Sequence, residues 1–274
     1  MRAGFDFAPA TARAALMFAC ACCACPARAQ EFGGAAIPGE ARGAGAMLEH
    51  GLAGAASAGA EVGVTRWFAL PSLETRALAL GVAMRSLRVA VGVASTGEPA
   101  VGWDAGALAV GVKQPGFAVA ARAVLRRDRE WFAAPPGVLG RAVGAEAGAG
   151  AWMQAARAVR VWVSAPQLWS RGVAPPLARP LESGVRFGGE QVAGWLVLRS
   201  PRGGDDGARA AGAMLGRGPL VCWAEITDAP LRASVGVRAE RGRLACAVRL
   251  DAHPILGETT HCSLAWTPQR RERS

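Results

Sequence analysis

The chain reads as an all-β protein, an antiparallel up-and-down transmembrane β-barrel of about 14 strands, with 12 the nearest alternative, preceded by an irregular N-terminal arm. Three observations predict it. Between Ala77 and Ala94 the pattern ALALGVAM, then LRVAVGVA, places Leu78, Leu80, Val82 and Met84 on one face of a first run, and Leu87, Val89, Val91 and Val93 on one face of a second. A side-chain period of two is that of a strand, so Arg85-Ser86 joins a hairpin. The other face carries Ala and Gly with an occasional Arg, where a soluble sheet would show water Thr, Lys, Glu and Gln. A barrel in a bilayer needs bulky aliphatics outside and small, polar or charged residues inside. Finally, no internal stretch approaches the roughly 18 apolar residues of a membrane helix, so a membrane protein with this sequence has to be a barrel.

Residues 1–30 read as an export signal: Arg2 and Arg13 flank the apolar stretch Ala14 to Cys25, and Ala27-Arg28-Ala29 supplies small residues for cleavage. Cys20, Cys22, Cys23 and Cys25 leave with that segment. Cys222, Cys246 and Cys262 remain, inside strand patterns, and read as small apolar residues of the bulky face. A last hairpin turning near Ile255 offsets Cys246 and Cys262 by about three residues, too far for easy bridging.

Residues 31–60 form a Gly/Ala-rich arm with one short helical turn around Met47 to His50. Residues 61–266 are strand and turn. The strands expected are Glu61–Ala69, Arg76–Met84, Leu87–Ser95, Trp103–Val112, Phe117–Arg126, Val138–Ala147, Ala155–Ser164, Gly184–Glu190, Val192–Arg199, Ala208–Leu215, Leu220–Ile226, Leu231–Glu240, Arg243–Asp251 and Thr259–Trp266. Turn signals separate them at Thr96–Pro99, Gln114–Gly116, Asp228–Pro230 and Arg241-Gly242. Longer connections at Arg127–Gly137, Ala165–Ser183 and Ser200–Gly207 are candidates for the outer side, or for a lid. Residues 267–274 make a basic tail.

The net charge of +10 comes from arginine, with Lys113 the single lysine. The arginines form neither a helix stripe nor an aromatic platform, which argues against nucleic acid as a partner. Several fall on the small face of their strands: Arg88, Arg122, Arg160, Arg232, Arg238, Arg243 and Arg249. Charge on the lipid side would cost a few kcal/mol per residue near the midplane, so these are the lumen-facing candidates. In a soluble barrel they would point to water.

Catalytic chemistry has no sequence signature here. His50, His253 and His261 lie at no metal-ligand spacing, and neighbouring His261 and Cys262 point to opposite faces of a strand. Asp205-Asp206 reads as a turn, and nucleophile elbows, phosphate-cradling loops and zinc-protease helices are missing. No catalytic residue, metal or cofactor is expected, and no enzymatic activity. Trp67, Trp103, Trp131, Trp223 and Trp266 lie near strand ends, where an interfacial belt and core packing predict tryptophan equally well.

The arm Gly39-Glu40-Ala41-Arg42-Gly43-Ala44-Gly45-Ala46 with His50-Gly51-Leu52-Ala53 resembles the Gly-rich N-terminal stretch of outer-membrane barrels in the PorV and long-chain fatty-acid transporter group. Val64-Thr65-Arg66-Trp67-Phe68, and His253 to His261 leading into Ser263-Leu264-Ala265-Trp266, are similar to it as well. The resemblance implies a fourteen-stranded barrel with the arm folded into the lumen as a hatch, in which Arg42 and His50 are candidates. Its roles would be apolar-ligand passage or assistance to secretion. The chain departs from that pattern in lacking the arm's Asn-Pro and in extending past Trp266.

Together these readings give an exported, non-enzymatic outer-membrane barrel that passes a small apolar or anionic solute or serves as an envelope or secretion scaffold. Its expected partners are outer-membrane lipid, the barrel-assembly machinery and that solute. The alternative is a secreted or periplasmic soluble β-sandwich or barrel acting as a binding module.

Overall fold

In a computed structural model the chain forms a closed barrel of fourteen strands, each antiparallel to its sequence neighbours, with the first and last strands closing the ring. The structure describes residues 32, 37–40, 42–54, 58–98, 101–129, 143–172, 180–200, 207–229 and 231–268. The expected leader, Trp131, Asp205-Asp206 and the tail beyond residue 268 lie outside them.

The strands are β1 (Gly59–Arg66), β2 (Glu74–Met84), β3 (Leu87–Glu98), β4 (Val101–Gln114), β5 (Phe117–Arg129), β6 (Val143–Ala156) and β7 (Val159–Arg171). They continue as β8 (Leu181–Gly188), β9 (Val192–Ser200), β10 (Ala208–Arg217), β11 (Leu220–Asp228), β12 (Leu231–Arg241), β13 (Leu244–His253) and β14 (Gly257–Trp266). Closure pairs Ala60 with Trp266 and leaves no edge to aggregate.

Several boundaries differ from the sequence reading. The sixth and seventh strands lie later than expected, because residues 144–151 are Gly or Ala on both faces apart from the inward Glu146, and the period-two signal has little amplitude there. Pro166 does not end β7. It sits where the ladder shifts register, between the pairs Ala147–Trp169 and Ala149–Ala165, a bulge that tolerates its missing N–H. Thr96 and Gly97 are ladder residues paired with Trp103 and Gly102, so the turn follows them. Conversely, Trp67–Ala69 leaves the ladder as a 3-10 turn.

The two ends differ. Arg85-Ser86, Pro115-Gly116, Arg157-Ala158, 189–191, Gly218-Pro219 and Gly242-Arg243 join strands at one end, called here the short-turn end, where the barrel also begins and finishes. The strand ends Arg129, Val143, Arg171, Leu181, Ser200 and Ala208, which flank the long connections, are at the opposite end. Bacterial membrane barrels show the same asymmetry.

The bulky face points out. Leu80, Val91 and Leu108 are neighbours across β2, β3 and β4 and are 45–47% exposed, while Ala79, Ala90 and Ala109 behind them are at most 1% exposed. Cys222, Cys246 and Cys262 are free thiols on the outer face. Cys262 pairs with Val248, so Cys246 is two residues away along the strand and not the three expected.

Two devices fill the interior. Trp162, Trp195 and Trp223 each face inward directly opposite a glycine of the next strand, Gly184, Gly212 and Gly236. A Cβ on any of these glycines would lie within 2.5 Å of the indole, so the glycine makes room for the ring. The second device is the arm. Helix α1 (Gly43–His50) packs inside against β1 to β5 and β7, a longer helix than the turn expected from sequence. Phe32, Ile37, Met47, Leu48, Leu52 and Ala53 are all at most 3% exposed. Gly51 ends the helix in the left-handed conformation (φ 65°) and donates its N–H to Met47 O at 2.9 Å.

Candidate functional site

The helix leaves its last carbonyls without helical partners, and the negative end of its dipole lies there. The barrel wall supplies donors for these and for the chain that follows. Arg122 Nη1 donates to Glu49 O (2.8 Å), Ser164 Oγ to His50 O (2.6 Å), Trp152 Nε1 to Ala53 O (2.6 Å) and Arg88 Nε to Gly54 O (3.3 Å). The four donors come from β5, β7, β6 and β3. Within the arm, Phe32 N donates to Glu49 Oε2 (3.1 Å), and Glu61 of β1 accepts from Gly45 N (3.1 Å).

Before the helix, Glu40 is clamped at the short-turn mouth. Arg238 Nη1 and Nη2 reach its two oxygens at 2.5 and 3.2 Å, and Arg42 Nε lies 3.0 Å away. Burial by itself raises the Glu40 carboxyl, but Arg238, and more weakly Arg42 and Arg186, outweigh it and hold the group below its ordinary range. Arg42 also bridges to Glu240 at 2.9 Å. The plug is thus tied by its helix end to one half of the wall and by Glu40 to β12.

Towards the long-loop end the lumen is crossed by buried ion pairs. Arg199 donates to Glu182 (3.2 Å), Thr227 (3.0 Å) and Glu225 (2.9 Å), and Trp195 Nε1 donates to the other Glu225 oxygen at 2.9 Å. Arg126 meets Glu146 at 3.2 Å. Arg249 reaches Asp251 (2.6 Å) and Ser234 (3.1 Å), while His261 links Asp251 (3.1 Å) to Thr65 (2.9 Å). This hydroxyl, imidazole and carboxylate order resembles a hydrolytic relay, but Thr65 and His261 are 3% and 1% exposed, and Asp251 is tied to Arg249. The chain fixes β1, β13 and β14 together. Among the described residues, no group of three His, Cys, Asp or Glu could hold a metal ion.

Of the residues singled out from sequence, Arg88, Arg122, Arg238 and Arg249 are buried inside, and Arg160 and Arg232 are half-buried on the same face. Arg243 lies in the β12–β13 turn, exposed, and lines a cavity at the short-turn mouth with Glu40, Arg42 and Arg238. Arg42 sits at the mouth, and His50 enters the contacts through its backbone carbonyl. Sequence reasoning missed Arg186, and Arg126 and Arg199 with their acidic partners. Arg126 shares the parity of Arg122 on one strand, so that signal was present. The acids are far away in sequence and needed the register.

The strand-end tryptophans split. Trp67 and Trp223 are buried, Trp103 is half-buried on the inward face, and Trp266 is exposed outside. The outer rim at the short-turn end carries Phe117, Phe187 and Trp266, each exposed by 43–48%.

No protein-family model matches the chain, and no curated protein matches it in sequence. Among solved structures it is similar to a triple mutant of the Rhodopseudomonas blastica porin, with 7% identity and a TM-score of 0.40 over 76% of this chain and 97% of that one. It is also similar to the Acinetobacter baumannii outer membrane protein Omp33, with 10% identity and a TM-score of 0.48 over 77% of this chain and 98% of that one.

Proposed function

We propose that this protein is an outer-membrane β-barrel with a non-enzymatic role, admitting a small anionic solute to a lumen stoppered at its short-turn end by the N-terminal arm. The observation that carries the membrane assignment is the reversed surface: a closed ring whose exposed face is Leu, Val and Phe and whose enclosed face is Ala, Gly, Arg and Glu. Exposing that aliphatic band to water would forfeit about 25 cal/mol for every Å² it could bury in lipid. A secreted soluble module is disfavoured on the same ground.

Arginine-rich lining favours an anionic over an apolar solute. In this respect the chain departs from the fatty-acid transporter branch of the group it resembles, while the arm inside the barrel accords with that group's hatch. Lipid and the barrel-assembly machinery are its expected partners in the envelope.

Fractionation with a heat-modifiability gel tests the membrane part: the protein should sediment with outer membranes and shift in mobility on boiling. A soluble band that migrates identically before and after boiling would refute it. Removal of residues 31–56 from the refolded barrel should raise its conductance in planar bilayers. An unchanged conductance would refute the stopper.

A further inference from the structure

Two arginines face each other across the β7–β8 ladder. Arg160 pairs directly with Arg186, and both line a cavity of about 500 Å³ at the short-turn mouth, together with Lys113, Arg157, Arg42 and Glu40. Like charges directly opposite one another destabilise a sheet. The nearby carboxylates do not resolve this pair. Glu40 is within electrostatic reach of both arginines, but Arg238 and Arg42 already occupy its oxygens at 2.5–3.2 Å. Glu190, the other acid of the cavity, is 91% exposed and reaches Arg42 only at 3.8 Å.

The donors are also poorly used. Arg160 Nε is buried without a hydrogen-bond partner among the described residues, and its guanidinium carbon lies 4.5 Å from the centroid of the Trp152 ring, which holds the group in place. Among the described residues Arg186 Nη2 donates only to the Met214 thioether, at 2.9 Å, and sulfur is a weak acceptor. Two guanidinium forks and an ammonium around one cavity match a tetrahedral oxyanion, whose several acceptor oxygens can engage both forks at once.

We propose that Arg160 and Arg186 are the paired donors of a binding site for a small soluble anion of the phosphate type, with Lys113 and Arg157 adding to its positive field. The proposal rests on the reading of the barrel as one that admits a small anionic solute, and it names that solute's chemistry at the mouth where the arm sits. Binding is measured on the folded barrel alone, so its failure is separable from failure of the transport reading, which conductance reports.

The experiment is calorimetric titration of the full chain, refolded in uncharged detergent, with pyrophosphate and with inorganic phosphate. Chloride and anionic phosphatidylglycerol micelles serve as comparison arms. Saturable one-site binding of pyrophosphate is expected, with a change in tryptophan fluorescence from Trp152. Arg160→Gln and Arg186→Gln should each weaken it by about tenfold or more. Arg217→Gln removes the same charge from an exposed position outside the cavity and should change affinity less than about twofold. Arg160→Lys should recover only part of the loss, since it restores charge without the fork.

Pyrophosphate should also raise the thermal midpoint of the wild type and leave that of Arg160→Gln unmoved. This second readout keeps the proposal testable if one variant refolds poorly. Absence of saturable binding, equal weakening by Arg217→Gln, or binding confined to phosphatidylglycerol would overturn the proposal.

Discussion

Gly150 is a position where the plug's backbone lies directly against the wall. It faces inward from β6, and a Cβ there would lie 2.6 Å from His50 O and 2.7 Å from Gly51 O. Both atoms are backbone, held by Ser164 Oγ on His50 O at 2.6 Å and by the Gly51 N–H to Met47 O at 2.9 Å, so neither can swing aside. Gly150→Ala therefore forces the arm off its seat. Inserting a methyl into a packed interior costs about 1–3 kcal/mol. The cost falls on the docked state alone, because with the arm out nothing opposes Gly150 from the lumen side. At 1.4 kcal/mol per decade the docked-to-undocked ratio should drop by roughly 5- to 150-fold, and further for Gly150→Leu. Planar-bilayer recording of the refolded protein reads this as a matching rise in open events, with the heat-modifiable fold retained. Gly106→Ala, whose Cβ meets nothing within 4 Å, is the control and should record like the wild type. A Gly150→Leu barrel that folds and stays as quiet as the wild type would refute the reasoning.

The Glu40 clamp makes docking depend on pH. Its carboxyl is held below the ordinary value of 4.5 when docked, so its contribution is complete above that value and is lost as pH falls through the lower docked value. Open events should therefore increase below about pH 4.5, and Glu40→Gln should open more often at neutral pH and lose this acid response. Val91→Arg, in the middle of the exposed aliphatic band, should cost about 2–4 kcal/mol in urea titration of the barrel in lipid, and a change under about 0.5 kcal/mol would contradict the face assignment. Gly236→Ala places a Cβ 2.2 Å from Trp223 Cζ2 and should lower the same stability by about 1–3 kcal/mol, an effect that Trp223→Leu should relieve. Cys222, Cys246 and Cys262, exposed on the outer face, should react in vesicles with a lipid-soluble maleimide and be spared by a charged one.

How much of the fold is legible depends on the contrast between the two faces of each strand. β2 and β3 alternate Leu or Val with Ala or Gly, and the hairpin with its turn at Arg85-Ser86 follows directly from the sequence. β6 has the same geometry and almost no contrast. Ala145, Ala147, Ala149 and Ala151 face one way, and Gly144, Glu146, Gly148 and Gly150 the other. The missing contrast has a physical cause. A Cβ on Gly148 would meet Pro166 O at 2.2 Å in the bulge, and one on Gly150 would strike the plug. The features that hide this strand from a periodicity argument are the ones that seat the arm.

The site was legible only where side-chain parity alone decides it. Parity places Arg88, Arg122, Arg238 and Arg249 inside, and it would have placed Arg126 there too. What those arginines hold is another matter, since their partners are set by strand register or by the arm. Glu182 and Glu225 meet at Arg199 because β8, β9, β10 and β11 are in one register, and Trp223 fits because that register puts Gly236 opposite it. The arm is more opaque still. Apart from the Glu40 and Arg42 side chains, its anchors on the wall are the carbonyls of Glu49, His50, Ala53 and Gly54, atoms that any residue would present. Sequence similarity in the arm is therefore a poor measure of whether it docks. The informative positions are on the wall: the donors Arg88, Arg122, Trp152 and Ser164 and the clearance at Gly150, which specify the seat of the helix end, while Glu40 on Arg238 is the side-chain tie that the arm itself supplies.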